Sequence, residues 1–257
     1  MRHIHPSAIV DSKAEIGDDV SIGPYSVIEG DVVIGDGCEI ASSVVLANGA
    51  RLGKRVKIYP GAVIATQPQD LKFGGEKTLA VIGDDTVVRE YATINRGTSA
   101  HGESSIGANC LLMAYSHVAH DCIIGDNVIL ANSVNLAGHV EIGDHAILGG
   151  ILPVHQFVKI GAHAMIGGGF RVQSDVCPFS LTAGYPLKVV GINSIGLRRR
   201  GFSNESIQVL EQTYKLLFFS GLNTTQAVER INAEITKTAE VQLILDFISK
   251  ATRGIVK

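Results

Sequence analysis

The chain has 257 residues, 46% of them hydrophobic but only 5% aromatic, with no Trp and 29 Gly, as expected of a core built from aliphatic and small side chains. A formal net charge of −3 gives no global case for nucleic acid or an anionic membrane surface. No apolar run approaches the ~18 residues of a membrane span, and no apolar region follows Met1-Arg2-His3, so the chain reads as a cytoplasmic protein without membrane insertion.

Every sixth residue from Ile4 to Val172 is Ile, Leu or Val, except at Asp70, Glu76 and Ala100. Two residues earlier the side chain is usually small, as at Ala14, Cys38, Ala62, Cys110, Cys122 and Ala146. Residues two apart on a strand share a face. Each six-residue unit therefore reads as a short strand with one large and one small inward side chain. Gly often follows the aliphatic, as at Gly17, Gly35, Gly107 and Gly125, where a chain turns a corner. A period of six is neither helical nor plain alternation, and fits a parallel β-helix whose coils cover only their neighbours. Cys38, Cys110 and Cys122 fill the small inward position, so they read as buried hydrophobes. Cys177 lies beyond the repeat, and nothing requires disulfides.

The rule resembles the hexapeptide-repeat proteins, in which three units make one triangular coil of eighteen residues. That resemblance implies a left-handed winding, with about nine or ten coils here and a height somewhat over 40 Å at ~4.8 Å per coil. Residues 1–64 are uninterrupted repeat. Residues 66–79 break it with Pro68, Gly74-Gly75 and charges at core phases, and residues 96–105 break it again; both are expected to be excursion loops, frequent carriers of binding residues. Residues 106–172 resume the repeat, which ends where Pro178 replaces the next aliphatic. Residues 1–183 are thus expected to form the β-helix, and 184–257 a connection and a small helical domain. The connection, Gly184–Gly201, is expected to lead into a helical start at Arg198-Arg199-Arg200. Ser203 suits an N-cap for a helix ending at Gly221, and further helices are expected from Asn223–Thr225 to about Thr238 and over roughly Glu240–Thr252.

The clean repeat also carries His117, His120, His139 and His155. The last three fall within one residue of a common eighteen-residue phase, and are expected to stack on successive coils within roughly 5–10 Å. Three readings suit such a column. In the first, His120 is a general base for acyl transfer, oriented by Asp121, and Gly138 offers an N–H to a developing oxyanion. In the second, three imidazoles hold Zn²⁺ with an open position, as in the hexapeptide carbonic anhydrases. In the third, the prism is a scaffold without chemistry. The charged excursion and the Arg198–Arg200 cluster favour a transferase with a phosphorylated acceptor, since Asp binds a sugar hydroxyl and Arg a phosphate.

Residues 69–73 (QDLKF), 95–98 (NRGT), 117–122 (HVAHDC), 136–140 (LAGHV), 154–157 (VHQF), 191–193 (GIN) and 197–203 (LRRRGFS) resemble the UDP-N-acetylglucosamine acyltransferases that begin lipid A synthesis. The match spans nearly the whole chain. It implies a homotrimer with active sites between neighbouring prisms. It also implies transfer of a 3-hydroxyacyl chain from acyl carrier protein to the sugar 3-position, with no metal and no cofactor beyond the donor's phosphopantetheine.

On the matching residues, His120 resembles the general base with Asp121 behind it, and Gly138 the oxyanion donor. Gln69, Asp70, Lys72, His117 and His139 resemble sugar and pyrophosphate contacts, and His155 and Gln156 line the nucleotide and acyl sites. Asn193, Arg199 and Arg200 resemble the uridine and phosphate end, and Gly168 stands where the family gauges acyl length. Asn95 and Ile195 depart from the family's frequent His and Glu; Ile195 cannot supply a carboxylate, and both bear on whether the acceptor is the 3-hydroxyl or a 3-amino analogue. The pathway's later N-acyltransferase has an extra N-terminal uridine-binding domain, for which a repeat starting at Ile4 is expected to leave no room. Arg198–Arg200 and Lys188 are candidates for docking the acidic carrier protein.

Overall fold

The structure is a computed structural model that describes residues 2–257 as a left-handed parallel β-helix followed by four short helices. Strands of two to four residues stack into three parallel faces, of which the first also takes two further strands at its end. The first face begins at His3–Ile4, the second at Ile9–Val10 and the third at Glu15–Ile16. They meet at three edges: edge I joins the first face to the second, edge II the second to the third, and edge III the third to the next coil's first.

The hexad aliphatics point inward and are buried in columns such as Leu112, Leu130, Leu148 and Ile166. The small positions Cys110, Val128, Ala146 and Ala164 pack beside them. At the N-terminal end the rule loosens: Ile4 is exposed and Ile16 half-buried, because no coil among the described residues lies beneath them. All four cysteines are buried and unpaired.

Partners are normally eighteen residues apart, as Ile22↔Ile40 and Leu112↔Leu130. Across residues 67–78 the separation becomes thirty, with Lys57↔Val87 and Val63↔Thr93. Across 96–102 it becomes twenty-four, with Thr93↔His117. The two insertions therefore add twelve and six residues, whole multiples of the repeat, and the aliphatic phase passes through both undisturbed. Both leave the prism at edge II, between Val63–Thr66 and Leu79–Ile82 and between Thr93–Asn95 and Glu103–Ile106.

The repeat does not stop at Val172. Val154 bridges Val172, Ile160 bridges Val176, and Met165 pairs with Leu181, so one more coil forms on a side two residues shorter than usual. Val176, not Pro178, takes the inward place. Ser180–Ala183 then pairs antiparallel with Lys188–Ile192.

Helix α1 (Ser194–Arg199) ends, rather than starts, at the arginine cluster, where cations meet the negative helix end. Helix α2 (Asn204–Phe218) is capped by Ser203 and buries Ile207, Leu210, Tyr214 and Leu217; the Tyr214 hydroxyl donates to the Pro178 carbonyl and ties the helix to the prism. Helix α3 (Thr224–Glu234) starts in a capping box of Asn223 and Gln226. Helix α4 (Ala239–Ser249) buries Val241 and Ile244. All three end three or four residues before their expected stops, within ordinary fraying of a helix end. No helix among the described residues is long and apolar enough to cross a membrane.

Candidate active site

Edge II gathers most of the chemistry. Each coil turns there through a residue in the left-handed region: Asp121 (φ 58), His139 (φ 61) and Phe157 (φ 64). Their backbones are linked coil to coil, His139 N–H donating to the His120 carbonyl and Phe157 N–H to that of Gly138, each at 3.1 Å. Side chains on this exact phase therefore stack. The His139 ring lies 4.5 Å from that of Phe157 and nearly parallel to it, and 5.1 Å from that of His120, edge-on.

A column of three histidines is not what forms. His155, two residues off this phase, turns its Nδ1 towards the Gln156 carbonyl at 3.1 Å, and Phe157 takes the place over His139. The third imidazole near the pair is instead His101, on the 96–102 loop, 5.6 Å from His139 between ring centroids. The repeat could not reveal it, because a loop residue has no phase.

The His120 and Asp121 side chains form a pair, Nδ1 to Oδ2 2.7 Å. Asp121 is buried, and both of its oxygens are also held by Thr98, whose N–H donates to Oδ1 at 2.8 Å and whose hydroxyl donates to Oδ2 at 2.7 Å. Burial pushes the Asp121 carboxyl up, but the Thr98 and His120 hydrogen bonds together outweigh it and leave the group below the ordinary carboxylate value. An ionised carboxylate fixes the imidazole tautomer with the proton on Nδ1 and the lone pair on Nε2, as a proton acceptor requires. The sequence placed Asp121 here by adjacency; Thr98, which completes its hydrogen bonding, carried no signal beyond its place in a short motif.

Gly138 is buried against the His120 ring. Its N–H has no acceptor among the described residues. At edge III the equivalent amides of Ala108 and Asp126 donate to carboxylates of the next coil, Asp126 and Asp144, at 2.7 and 2.8 Å. An N–H so placed beside an imidazole can donate to a developing oxyanion.

Around this pair, His117 is half-buried with its Nδ1 2.7 Å from the Thr93 hydroxyl, and burial, then the charge of His120, lowers its pKa. Burial also lowers that of His139, against an upward pull from Asp121 and Asp70. The 67–78 loop thus brings Asp70 within electrostatic reach of His139. Within the loop, Asp70 accepts the Lys72 N–H at 3.0 Å, and Gln69 and Lys72 are exposed. His101, Asp121, His139, Phe157, Lys159 and Thr252 line a cleft of about 180 Å³ beside the pair.

The remaining candidates, Asn95 apart, lie away from edge II. Asn193 caps α1 through Gly196 N–H at 3.1 Å and donates to the His163 carbonyl at 3.0 Å, and Arg200 donates to the His145 carbonyl at 3.0 Å; both anchor at edge III. One Arg200 nitrogen, Nη1, is buried without a partner, and Arg199 is exposed. Gly168 lies at edge I against Gly150. Asn95 is buried and donates to the Thr66 hydroxyl at 3.1 Å, and Ile195 is 64% exposed on α1.

Residues 175–256 match the model described as Udp N-acetylglucosamine O-acyltransferase, domain 2, and residues 13–48, 31–66 and 103–138 match the bacterial transferase hexapeptide model. Over 255 residues the chain is 56% identical to the acyl-[acyl-carrier-protein]--UDP-N-acetylglucosamine O-acyltransferase of Chlorobaculum parvum, covering 99% of this chain and 97% of that one. The chain belongs to the UDP-N-acetylglucosamine O-acyltransferase family. The same named enzyme of Sulfurihydrogenibium is 58% identical over 99% of this chain and 94% of its own. The solved UDP-N-acetylglucosamine acyltransferase of Bacteroides fragilis superposes with a TM-score of 0.97 at 44% identity, covering 98% of this chain and 99% of that one. That of Acinetobacter baumannii gives 0.95 at 43% identity, with 99% of each chain covered. As a member of this acyltransferase family, the chain carries both the prism and the helical tail of its relatives.

Proposed function

We propose that the chain is an acyl-[acyl carrier protein]--UDP-N-acetylglucosamine O-acyltransferase, catalysing the first step of lipid A biosynthesis. The observation that carries its mechanism is the His120–Asp121 pair set against the free amide of Gly138. His120 Nε2 takes the proton of the sugar 3-hydroxyl as that oxygen attacks the thioester carbonyl of the 3-hydroxyacyl donor. The tetrahedral oxyanion is held by Gly138 N–H. Collapse breaks the C–S bond, and protonated His120 returns its proton to the departing phosphopantetheine thiolate. Asp121 stays ionised and stabilises the imidazolium between these steps.

Asp70, Lys72 and Gln69 reach over the sugar from the 67–78 loop, with His117 and His139 behind it. His155 and Gln156 line the acyl and nucleotide side. Asn193, Arg199 and Arg200 hold the uridine and phosphate end, and Gly168 bounds the acyl chain. Edge III stands one prism side from edge II, on the order of 20 Å for six residues. One substrate meets both sets only if neighbouring prisms contribute one edge each, which favours a homotrimer with sites between subunits. The donor's phosphopantetheine is the only cofactor invoked, and a carrier-protein donor with a nucleotide-sugar acceptor fits the cytoplasm. Ester formation at the 3-hydroxyl follows the O-acyltransferase relatives, although Asn95 and Ile195 depart from the pattern.

The test is acyl transfer from 3-hydroxyacyl carrier protein to UDP-N-acetylglucosamine by the wild type and His120→Ala, with a chelator present. Transfer that resists the chelator and falls by several orders of magnitude in the variant is expected. A chelator-sensitive activity, or preference for a 3-amino sugar by orders of magnitude in kcat/KM, would overturn the reading.

A further inference from the structure

His120, Asp121 and His139 bring three metal-ligand atoms within 4.8 Å of one another. Asp121 Oδ2 lies 2.7 Å from His120 Nδ1 and 3.7 Å from His139 Nε2. Ligands ~2.0–2.1 Å from a tetrahedral zinc ion stand about 3.3 Å apart, between those two separations. Small torsional adjustments would therefore let all three bind one ion. Two imidazoles and a carboxylate are a borderline-soft set that prefers zinc over magnesium or calcium. The three side chains are rigidly placed: Asp121 by Thr98, His139 by its stack on Phe157, and His120 by Asp121. They adjoin the cleft lined by His101, Asp121 and His139, which gives an ion a way in, and the exposed His101 ring lies 5.6 Å from that of His139 between centroids, close enough to swing towards it.

We propose that Zn²⁺ binds at His120 Nδ1, Asp121 Oδ2 and His139 Nε2, with His101 closing the site, and reversibly switches off the acyl transfer. The proposal rests on His120 being the general base. The ion takes the place of the proton shared by His120 and Asp121. An imidazole with a metal on Nδ1 keeps its own proton on Nε2. Nε2 then has no lone pair for the sugar hydroxyl, and Asp121 is spent on the metal. Zinc bound this way lowers kcat by removing the base, and because it also engages His139 behind the sugar it weakens acceptor binding as well.

The experiment titrates chelator-treated full-length enzyme with zinc sulfate by calorimetry in a non-chelating buffer, and in parallel follows acyl transfer. One ion per chain is expected, with kcat falling at least about tenfold, the KM of the sugar rising because His139 is engaged, and full recovery on adding chelator. His139→Phe keeps the ring stack but has no nitrogen, and should abolish the binding. His101→Ala should need more zinc for the same fractional inhibition of its own zinc-free rate. Zinc binding that survives His139→Phe, or that disappears in His145→Ala at the stacked His145–His163 pair of edge III, overturns the proposal. So does inhibition that only raises KM. Because calorimetry does not depend on turnover, zinc binding without any transfer would sink the acyltransferase reading and leave the metal site standing.

Discussion

An added Cβ at Gly138 stands 2.6 Å from Cε1 and 2.7 Å from Nε2 of His120, closer than real Cβ contacts come. The backbone of one coil is thus the floor on which the imidazole of the coil before it rests. Only a residue without a side chain lets the ring keep its hydrogen bond to Asp121 and keeps the Gly138 amide open beside it.

Gly138→Ala should therefore separate catalysis from folding. The methyl forces the His120 ring aside, and the ring moves more easily than the coil. Strain of about 1–2 kcal/mol is expected in denaturant unfolding, against a loss of roughly 10²-fold or more in kcat. A variant with nearly normal kcat would show that neither the amide nor the ring position matters.

Asp121→Asn tests the orienting group. The amide preserves shape but can donate to His120 Nδ1, favouring the tautomer with its proton on Nε2. A loss of about 10²–10⁴ in kcat with little change in KM is expected. The pH consequence has a definite sign. The folded carboxyl lies below its ordinary value, so its stabilisation is complete above the unfolded value near 4 and is lost as pH falls through the folded one. The variant should lack that part of the acid sensitivity, as unfolding midpoints at pH 7 and below pH 4 will show.

His163 gives a second pH effect, away from edge II. Its ring is stacked between His145 and Phe179, and its Nδ1 is buried without a partner. Burial, then the charges of His145 and Arg200, lowers its pKa to about 4. The unfolded ring takes up a proton near pH 6.5 and the folded one does not, so stability is full above pH 6.5 and falls as pH drops towards 4. The upper figure is on the order of 3 kcal/mol per chain. Denaturation at fixed protein concentration should show a shallower loss between pH 7 and 5 for His163→Phe. Equal slopes would remove His163 as the cause.

The β-helix was readable because both loops add whole multiples of six residues, so Ile82 and Ile106 resume the phase left by Ile64 and Ile94. The His120–Asp121 pair was readable from adjacency alone. Neighbouring offsets at a corner are not equivalent. A left-handed corner residue points its side chain along a column of its own, so Asp121, His139 and Phe157 share one while His155, two positions earlier, does not. His101 and Thr98 were hidden for another reason: their place is set by where a loop folds back, which no periodicity encodes. The distribution of Asn193 and Arg200 to edge III followed from the caps and carbonyls that hold them, which are tertiary facts.

That distribution makes the shared-site reading testable by mixing subunits. His120 stands on edge II and Arg200 is anchored to His145 on edge III. If each site takes its base from one chain and its phosphate ligand from the next, His120→Ala and Arg200→Ala chains complement each other. Each variant alone should be strongly impaired, the first in kcat and the second chiefly in the KM of the nucleotide sugar. Co-expressed in equal amounts and assembled at random in a cyclic trimer, about a quarter of the sites pair an intact base with an intact arginine. The mixed preparation should recover towards that fraction of wild-type activity at low sugar concentration, whereas pure variants mixed after assembly should not. If co-expressed chains do no better than the average of the two variants, base and arginine belong to one chain, and the arrangement between subunits is wrong.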